Sequence, residues 1–128
     1  MAVPGTVREQ DAVLAAYRLL DAINERDADA LDAVTTDDVE LRTSDGREWR
    51  GQDGARALLD EAHRTKLRLI PLHRGEHAED RGDGVWVELR VREITAEDDE
   101  PRIADLVARG DQVASMTLRP APYEPGIA

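Results

Sequence analysis

A single carboxylate, Asp105, lies among apolar residues near the end of this chain. Residues 101–120 predict two strands joined by a tight turn at Gly110-Asp111, because glycine tolerates the positive φ of two-residue hairpin turns. With Arg109 opposite Gln112, directly opposed residues share one face of the sheet. That face would hold Asp105 together with five apolar residues: Ile103, Val107, Ala114, Met116 and Leu118.

An acid in such surroundings could do proton-transfer chemistry. Burial among apolar side chains disfavours the charged form of a carboxyl group. Asp105 would then be partly protonated and could act as an acid or a base near neutral pH. The alternative is a structural role, in which the carboxylate hydrogen-bonds a tyrosine or an arginine, or the strand presents its opposite face.

The composition of the chain limits its partners. Its 128 residues suit one domain, and 28 acidic against 17 basic residues give a net charge of −11. Binding to nucleic acid or to an anionic membrane surface requires clustered lysine and arginine, so neither partner is expected. Cysteine is absent, which excludes disulfides, thiol catalysis and cysteine-ligated metal.

Neither a membrane segment nor a metal site is predicted. The first residues lack the basic and apolar regions of a signal peptide, and no apolar run approaches the roughly 18 residues of a membrane span. We therefore expect a soluble cytoplasmic protein. His73 and His77 would lie about 13 Å apart along a strand, at about 3.3 Å per residue, which is too far to chelate one ion. No metal and no cofactor are expected.

Three helices are predicted from the hydrophobic periodicity. Thr6 and Glu9 form a capping box at the start of a long amphipathic helix over about 7–25. Its inward side is predicted to carry Val13, Leu14, Tyr17 and Leu20. Asp27 would cap a second helix over about 28–34, and a third helix is predicted over about 53–64.

Strands fill the rest of the chain. They are predicted over 39–43, 47–50, 65–79 and 85–92, before the two strands of the closing hairpin. In 65–79, Pro71 and Gly75 suggest a bend or a bulge, or an edge position in the sheet. In 85–92 the residues predicted to face inward are Val85, Val87, Leu89 and Val91. Residues 1–6 and 120–128 would be loose ends. This order predicts one α+β domain, in which the helices pack on one face of a curved antiparallel sheet.

The order and spacing of these elements resemble the NTF2-like superfamily, a cone-shaped α+β fold shared by SnoaL-like polyketide cyclases, ketosteroid isomerases and limonene epoxide hydrolases. The resemblance covers about residues 7–119. It rests on residues 24–27, 37–40, 49–51 and 110–113. It implies an apolar pocket between the sheet and the helices, and dimerisation through the sheet. Trp86, on the outer face, is then expected to be a dimer contact.

The resemblance also suggests catalytic residues. In ketosteroid isomerases a tyrosine of the first helix and a protonated aspartate of the penultimate strand hydrogen-bond an enolate oxygen, while a second aspartate moves the proton. Tyr17 and Asp105 match the first two positions. Leu41 or Thr43 stands where the proton-moving acid would be, and Glu40 has the wrong parity. Steroid isomerisation is therefore not expected.

Together these features predict a SnoaL-like protein that binds a small, largely apolar molecule in a conical pocket. If it is an enzyme, we expect cofactor-independent isomerase or cyclase chemistry, with Asp105 as acid/base and Tyr17 as hydrogen-bond donor. The alternative is a non-catalytic ligand-binding or interaction domain. Epoxide hydrolysis comes third, because it needs a second inward acid beside Asp105 and Arg109. The predicted pocket residues are Leu41, Thr43, Trp49, His63, Leu89, Val107 and Met116.

Overall fold

The structure, a computed structural model, describes residues 6–122. This part of the chain forms three helices and seven strands. The helices are α1 (Val7–Glu25), α2 (Ala28–Val34) and α3 (Gly51–Thr65). The strands are β1 (Thr35–Arg42), β2 (Glu48–Arg50), β3 (Arg68–Pro71), β4 (His77–Asp80), β5 (Val85–Ile94), β6 (Asp99–Arg109) and β7 (Gln112–Pro120).

The caps predicted for the first two helices are confirmed. Thr6 and Glu9 form both hydrogen bonds of a capping box at the start of α1. The Asp27 side chain accepts a hydrogen bond from the backbone N–H of Ala30 at the start of α2. These local contacts satisfy N–H groups that a helix cannot pair internally.

The strand predicted over 65–79 is instead two short strands, β3 and β4. Both pair with β5, one after the other along its length. The loop between them contains His73, with φ 54°, and Gly75, with φ 67°. Two residues with left-handed backbone so close together cannot continue a strand, so this prediction was wrong.

The strands form one curved, mixed sheet in the order β2-β1-β7-β6-β5-β3, and β4 also pairs with β5. β1 and β7 run parallel, whereas the other pairs are antiparallel. The predicted α+β class is confirmed. The sheet was predicted to be wholly antiparallel, and the observed sheet differs in one pair: its first and last strands, β1 and β7, lie side by side and run parallel.

The interior of the cone is filled by aliphatic side chains. On β5 the inward row is Val85, Val87, Leu89 and Val91, as predicted, and each is at most 3% exposed. On α1 the buried positions include Ala12, Ala15, Ala16, Leu19 and Ile23. Leu14, which was predicted to face inward, is 47% exposed. The small alanines let α1 approach the sheet closely where a stripe of larger residues would not fit.

The register of the closing hairpin changes within β7. Arg109 pairs with Gln112 and Ala108 pairs with Val113, but Val107 pairs with Ser115. Ala114 is therefore an extra residue, a β-bulge. A shift of one residue transfers every following side chain to the opposite face. The predicted inward positions of Ile103, Asp105 and Val107 were wrong for this reason.

The reversed faces place different residues in the interior. Beyond the bulge, Met116 pairs with Leu106 and Leu118 pairs with Ala104. All four of these side chains are buried in the core. The outward row of β6 then consists of Ile103, Asp105 and Val107, because side chains alternate between the two faces of a strand.

One arginine joins the ends of two helices. Arg26 adopts left-handed backbone, with φ 57°, at the C-terminus of α1. Its guanidinium donates hydrogen bonds to the carbonyl oxygens of Ile23 in α1, Ala62 in α3 and Leu67 beyond α3. Beside it, the Asn24 amide pairs with both the N–H and the C=O of Leu69, which ties α1 to β3.

We predict that Arg26→Ala lowers the free energy of unfolding by about 2–4 kcal/mol, because several hydrogen bonds from a charged group are lost together. Arg26→Gly should lose about 1 kcal/mol less, since glycine adopts the left-handed backbone without strain. Urea unfolding measures both. Arg18→Ala, an exposed position on α1, is the matched control and should change stability by less than about 0.5 kcal/mol. A glycine variant as unstable as the alanine variant would contradict the backbone argument.

Candidate functional site

Two inward rows of the sheet end in charged residues at the open end of the cone. On β5, Glu93 follows Val91 with the same parity, and on the antiparallel β6, Arg102 precedes Ala104 with the same parity. The Glu93 side chain is 13% exposed and that of Arg102 is 21% exposed. Their ion pair joins Arg102 Nε to Glu93 Oε1 at 3.0 Å.

A serine from the β1–β2 turn completes this group. Ser44 Oγ lies 2.8 Å from Glu93 Oε1 and 3.0 Å from Oε2, so its hydroxyl is shared between both carboxylate oxygens. We call Ser44, Glu93 and Arg102 the mouth cluster. Arg102 donates to Glu93 through Nε, and within residues 6–122 its two terminal nitrogens make no hydrogen bond. Arg102 therefore keeps donors for a bound molecule.

The mouth cluster lies in the wall of a cavity of about 390 Å³, which we call the mouth cavity. Its apolar lining comes from Trp49, Leu58 and Leu67. Its remaining lining is polar: Thr43, Asp45, Arg47, Glu61, Arg64, Thr65, Thr95 and Asp98. The cavity thus combines an apolar base with a charged rim, as small-molecule sites commonly do.

The charged groups of the rim are largely paired with one another. Arg47 Nη1 lies 2.7 Å from Glu61 Oε2, and the Arg47 guanidinium lies 4.3 Å from the centre of the Trp49 ring. Arg64 also binds Glu61. Hydrogen bonds from the two arginines lower the pKa of Glu61. A hydrogen bond from Thr43 is the main cause of the lowered pKa of Asp45. Glu61 and Asp45 therefore favour their anionic form.

Asp105 lies on the outer face of the sheet and does not line the mouth cavity. Its Oδ2 accepts a hydrogen bond of 2.6 Å from Arg119 Nε, and Arg119 also binds Glu88 at 3.2 Å. Its Oδ1 is buried and has no hydrogen-bond partner within residues 6–122. Arg109, considered as a neighbour of Asp105 in the pocket, is instead exposed and lies 4.0 Å from Asp38.

Tyr17 has partners of its own away from the mouth cavity. Its hydroxyl donates a hydrogen bond to Glu76, and its ring stacks on His73 with centroids 5.2 Å apart. Burial raises the pKa of Tyr17 well above its usual value, and the hydrogen bond and charge of Glu76 raise it further. Neither Tyr17 nor Asp105 lines the mouth cavity, and their hydrogen bonds go to different residues, so the structure does not bring the predicted catalytic pair together there.

The other predicted pocket residues divide into three groups. Thr43 and Trp49 line the mouth cavity. Leu41, Leu89 and Met116 are at most 1% exposed and belong to the closed core. The locations predicted for the remaining two were wrong, because His63 is exposed on α3 and Val107 lies on the outer face beyond the bulge.

Sequence reasoning missed the mouth cluster, although part of its signal was present. Extending the alternation of β5 by one step places Glu93 on the inward face. The inward position of Arg102 follows from the same alternation only after β6 is assigned the opposite face. Ser44 could not be found from the sequence, because its contact with Glu93 joins residues 49 apart.

Within residues 6–122, no group of three or more histidine, aspartate or glutamate side chains is arranged to hold a metal ion. His73 stacks on Tyr17, whereas His77 contacts the edge of Trp86. No helix in this part of the chain is both long and apolar enough to cross a membrane. The cytoplasmic location expected from the sequence stays a prediction.

A cone of mixed sheet around three helices, with a cavity at its open end, defines a small α+β domain of the cystatin-like type. The family model described as a SnoaL-like domain matches residues 16–109. The chain belongs to this family of SnoaL-like domains. Among curated protein sequences, none matches the chain.

Solved structures share the fold at low sequence identity. A candidate polyketide cyclase from Xanthomonas campestris pv. campestris has a TM-score of 0.65 and 19% identity, over 89% of this chain and 93% of that one. An NTF2-like protein from Pseudomonas putida, of unknown function, has a TM-score of 0.72 and 16% identity, over 97% and 93%. A protein of unknown function with a cystatin-like fold, from Nostoc punctiforme, has a TM-score of 0.72 and 14% identity, over 96% of this chain and 98% of that one. At these identities the likeness shows the fold alone.

We predict that Tyr17 ionises only well above the usual tyrosine range near pH 10. Because its folded-state pKa is raised, its contribution to stability is complete below pH 10 and is lost as the pH rises beyond that value. Absorbance at about 295 nm in a Tyr123→Phe variant follows Tyr17 alone. Glu76→Gln should move the ionisation to lower pH, whereas Glu79→Gln, an exposed acid of β4, should not. Ionisation of Tyr17 near pH 10 in the folded protein would contradict the described contacts.

Proposed function

We propose that the mouth cavity binds a small carbonyl compound and that Glu93 exchanges a proton with it, in isomerase or cyclase chemistry without a cofactor. The observation that carries this proposal is the half-buried pair of Glu93 and Arg102, which extends two inward rows of the sheet into the cavity. Glu93 thereby takes the acid/base role that the sequence suggested for Asp105.

The burial of this pair favours a functional role. Removing two charges from water costs several kcal/mol per ion, and well-packed apolar residues often serve stability equally well. The preceding inward positions, Val91 and Ala104, are apolar, so another aliphatic pair would fit the same pattern. Ionisable groups kept in a cavity at such a cost are candidates for binding or catalysis.

The two residues have complementary abilities in proton transfer. The free terminal N–H groups of Arg102 can donate to a carbonyl oxygen and stabilise the negative charge that develops there. Glu93 Oε2 accepts only the shared Ser44 hydroxyl, so it is the oxygen best able to take a proton from a neighbouring carbon. Together they would support removal of a proton next to a carbonyl group.

The charges of the cavity favour a neutral ligand over an anionic one. Glu93 already balances Arg102, and the lining as a whole carries four acids and three arginines. A second carboxylate within about 4 Å of Glu93 would be repelled by roughly 1–4 kcal/mol, depending on the local dielectric constant. A volume of about 390 Å³ suits a molecule of one or two rings, with its apolar part against Trp49 and Leu58. The structural likeness to candidate polyketide cyclases is consistent with a ligand rich in carbonyl groups.

A non-catalytic binding domain is the second candidate. It is favoured by the existing hydrogen bonds of Glu93, because both of its oxygens already have donors. In this case the cavity would bind the same kind of molecule and leave it unchanged.

We predict that the protein accelerates exchange of the α-protons of α-tetralone, a two-ring ketone, in D₂O near neutral pH. Glu93→Gln should reduce the accelerated exchange by about 10²-fold or more, because general base catalysis contributes about that much. Proton NMR measures the exchange, and chemical shift changes of the protein measure binding. Glu79→Gln, an exposed acid of β4 that does not line the mouth cavity, is the matched control.

Asp105→Asn separates the two candidate acids. Loss of exchange in Asp105→Asn but not in Glu93→Gln would return the catalytic role to Asp105. Binding without exchange in the wild-type protein would support the non-catalytic candidate. If α-tetralone and smaller cyclic ketones produce no chemical shift changes at the mouth cavity, the proposed ligand class is wrong.

We also propose that the protein is a homodimer joined through the outer face of the sheet. This face carries Trp86, Val107 and Ile103 around the charged network of Asp105, Arg119 and Glu88. Ile103 is only 2% exposed although it lies outside the main core, because its strand neighbours are Arg90 and Arg119.

We predict a dimer by sedimentation at micromolar concentration, and a weaker dimer for Val107→Glu. A charge placed in a buried interface without a partner is strongly unfavourable. Val7→Glu makes the same substitution on the exposed side of α1 and should leave the dimer unchanged. A monomeric wild-type protein would contradict the proposal.

A further inference from the structure

The turn between β1 and β2, residues 43–47, covers one side of the mouth cavity. Thr43, Ser44, Asp45 and Arg47 all line the cavity. We infer that this turn is a lid that opens as a unit, and that its opening releases the Glu93 carboxylate. The second part rests on the proposed function, because it matters only if Glu93 reacts with or binds the ligand.

The backbone of the lid is bonded only to itself. The N–H of Thr43 donates to the C=O of Arg47, and the N–H of Gly46 donates to the C=O of Thr43, each at 3.0 Å. Among the described residues, no backbone hydrogen bond joins residues 43–47 to β5 or α3. A turn closed by its own hydrogen bonds can move on its two flanking strands without losing its shape.

Side chains alone fasten the lid across the cavity. Ser44 binds Glu93 on β5, and Arg47 binds Glu61 on α3. Arg47 also lies over the Trp49 ring, next to the lid. The Arg47 side chain is 50% exposed, so water and salt screen its ion pair and the contact is weak. We call the ion pair of Arg47 and Glu61 the latch. It can therefore break while the rest of the cone stays folded.

Ser44 couples the lid to the reactive group. It belongs to the lid, and it is also the sole donor to Glu93 Oε2 among the described residues. When the lid is closed, the hydroxyl of Ser44 occupies both carboxylate oxygens. When the lid opens, Ser44 leaves with it, and Oε2 is exposed to the cavity. Entry to the cavity and release of the carboxylate are thus one movement.

The absence of native cysteine allows a direct test of this movement. Leu58 lines the cavity beneath the lid and is 2% exposed, so the thiol of Leu58→Cys should react with iodoacetamide mainly when the lid opens. Val87→Cys, in the centre of the core, should react only through global unfolding. We expect Leu58→Cys to react faster than Val87→Cys after correction for the stability of each variant in urea.

Breaking the latch should increase the difference between the alkylation rates of Leu58→Cys and Val87→Cys. Arg47→Ala should accelerate alkylation of Leu58→Cys by about threefold to tenfold, as expected for joint loss of an exposed ion pair and a cation–π contact. It should not accelerate alkylation of Val87→Cys beyond its effect on stability. Arg50→Ala removes an exposed arginine from the same hairpin and is the matched control. Ser44→Ala should accelerate alkylation as Arg47→Ala does, because it breaks the contact of the lid with Glu93.

A second readout needs no substitution under the lid. In a Trp86→Phe variant, Trp49 is the remaining tryptophan, and Arg47→Ala should increase its quenching by acrylamide. Equal alkylation rates for Leu58→Cys and Val87→Cys, or equal acceleration of both by Arg47→Ala, would overturn the lid. None of these measurements uses a ligand. The lid proposal can therefore be contradicted while proton exchange by Glu93 is observed. It can also be supported while α-tetralone neither binds nor exchanges its protons.

Discussion

Strict alternation of side chains along β5 and β6 determines what the cone contains. Every second residue enters it, and the paired rows of Val87, Leu89 and Val91 with Leu106 and Ala104 close its centre. The same alternation, continued by one step on each strand, brings Glu93 and Arg102 to the open end. No separate device is needed to place the ion pair in the cavity, because the register that builds the core also aims these two side chains.

Because Glu93 and Arg102 lie at the end of the inward rows and not within them, a ligand in the mouth cavity can reach the pair. Deep in the cone, a charged pair would face a low dielectric constant on all sides and could reach no ligand. At the mouth, water and the hydroxyl of Ser44 reduce the cost of desolvation, while Leu67 and Trp49 limit access. This position combines a retained charge with contact to a cavity, which is the combination that binding and proton transfer both need.

The sequence predicted the elements well because their signals are local. The capping box of α1, the cap of α2 and the alternation of β5 each depend on a few neighbouring residues, and the structure confirms them. The face of β6 depends instead on a bulge at Ala114, which no local pattern marks. One extra residue reversed the face, and with it the apparent site at Asp105. The break between β3 and β4 lies where Pro71 and Gly75 suggested a bend, but these residues did not show that one strand ends there and another begins.

Asp105 and Glu93 show why the chemistry of a residue pair cannot by itself identify a site. Each is a partly buried carboxylate bound to an arginine at 3.0 Å or less, on neighbouring strands of one sheet. They differ in what lies next to them, because Glu93 borders a cavity and Asp105 borders only the outer face. A predicted apolar neighbourhood made Asp105 the conspicuous acid of the sequence, but on the outer face its partners are Glu88, Thr117 and Arg119, because Met116 and Leu118 lie in the interior. The bulge therefore accounts for the outer position of Asp105, whereas the alternation of β5 alone places Glu93 at the cavity.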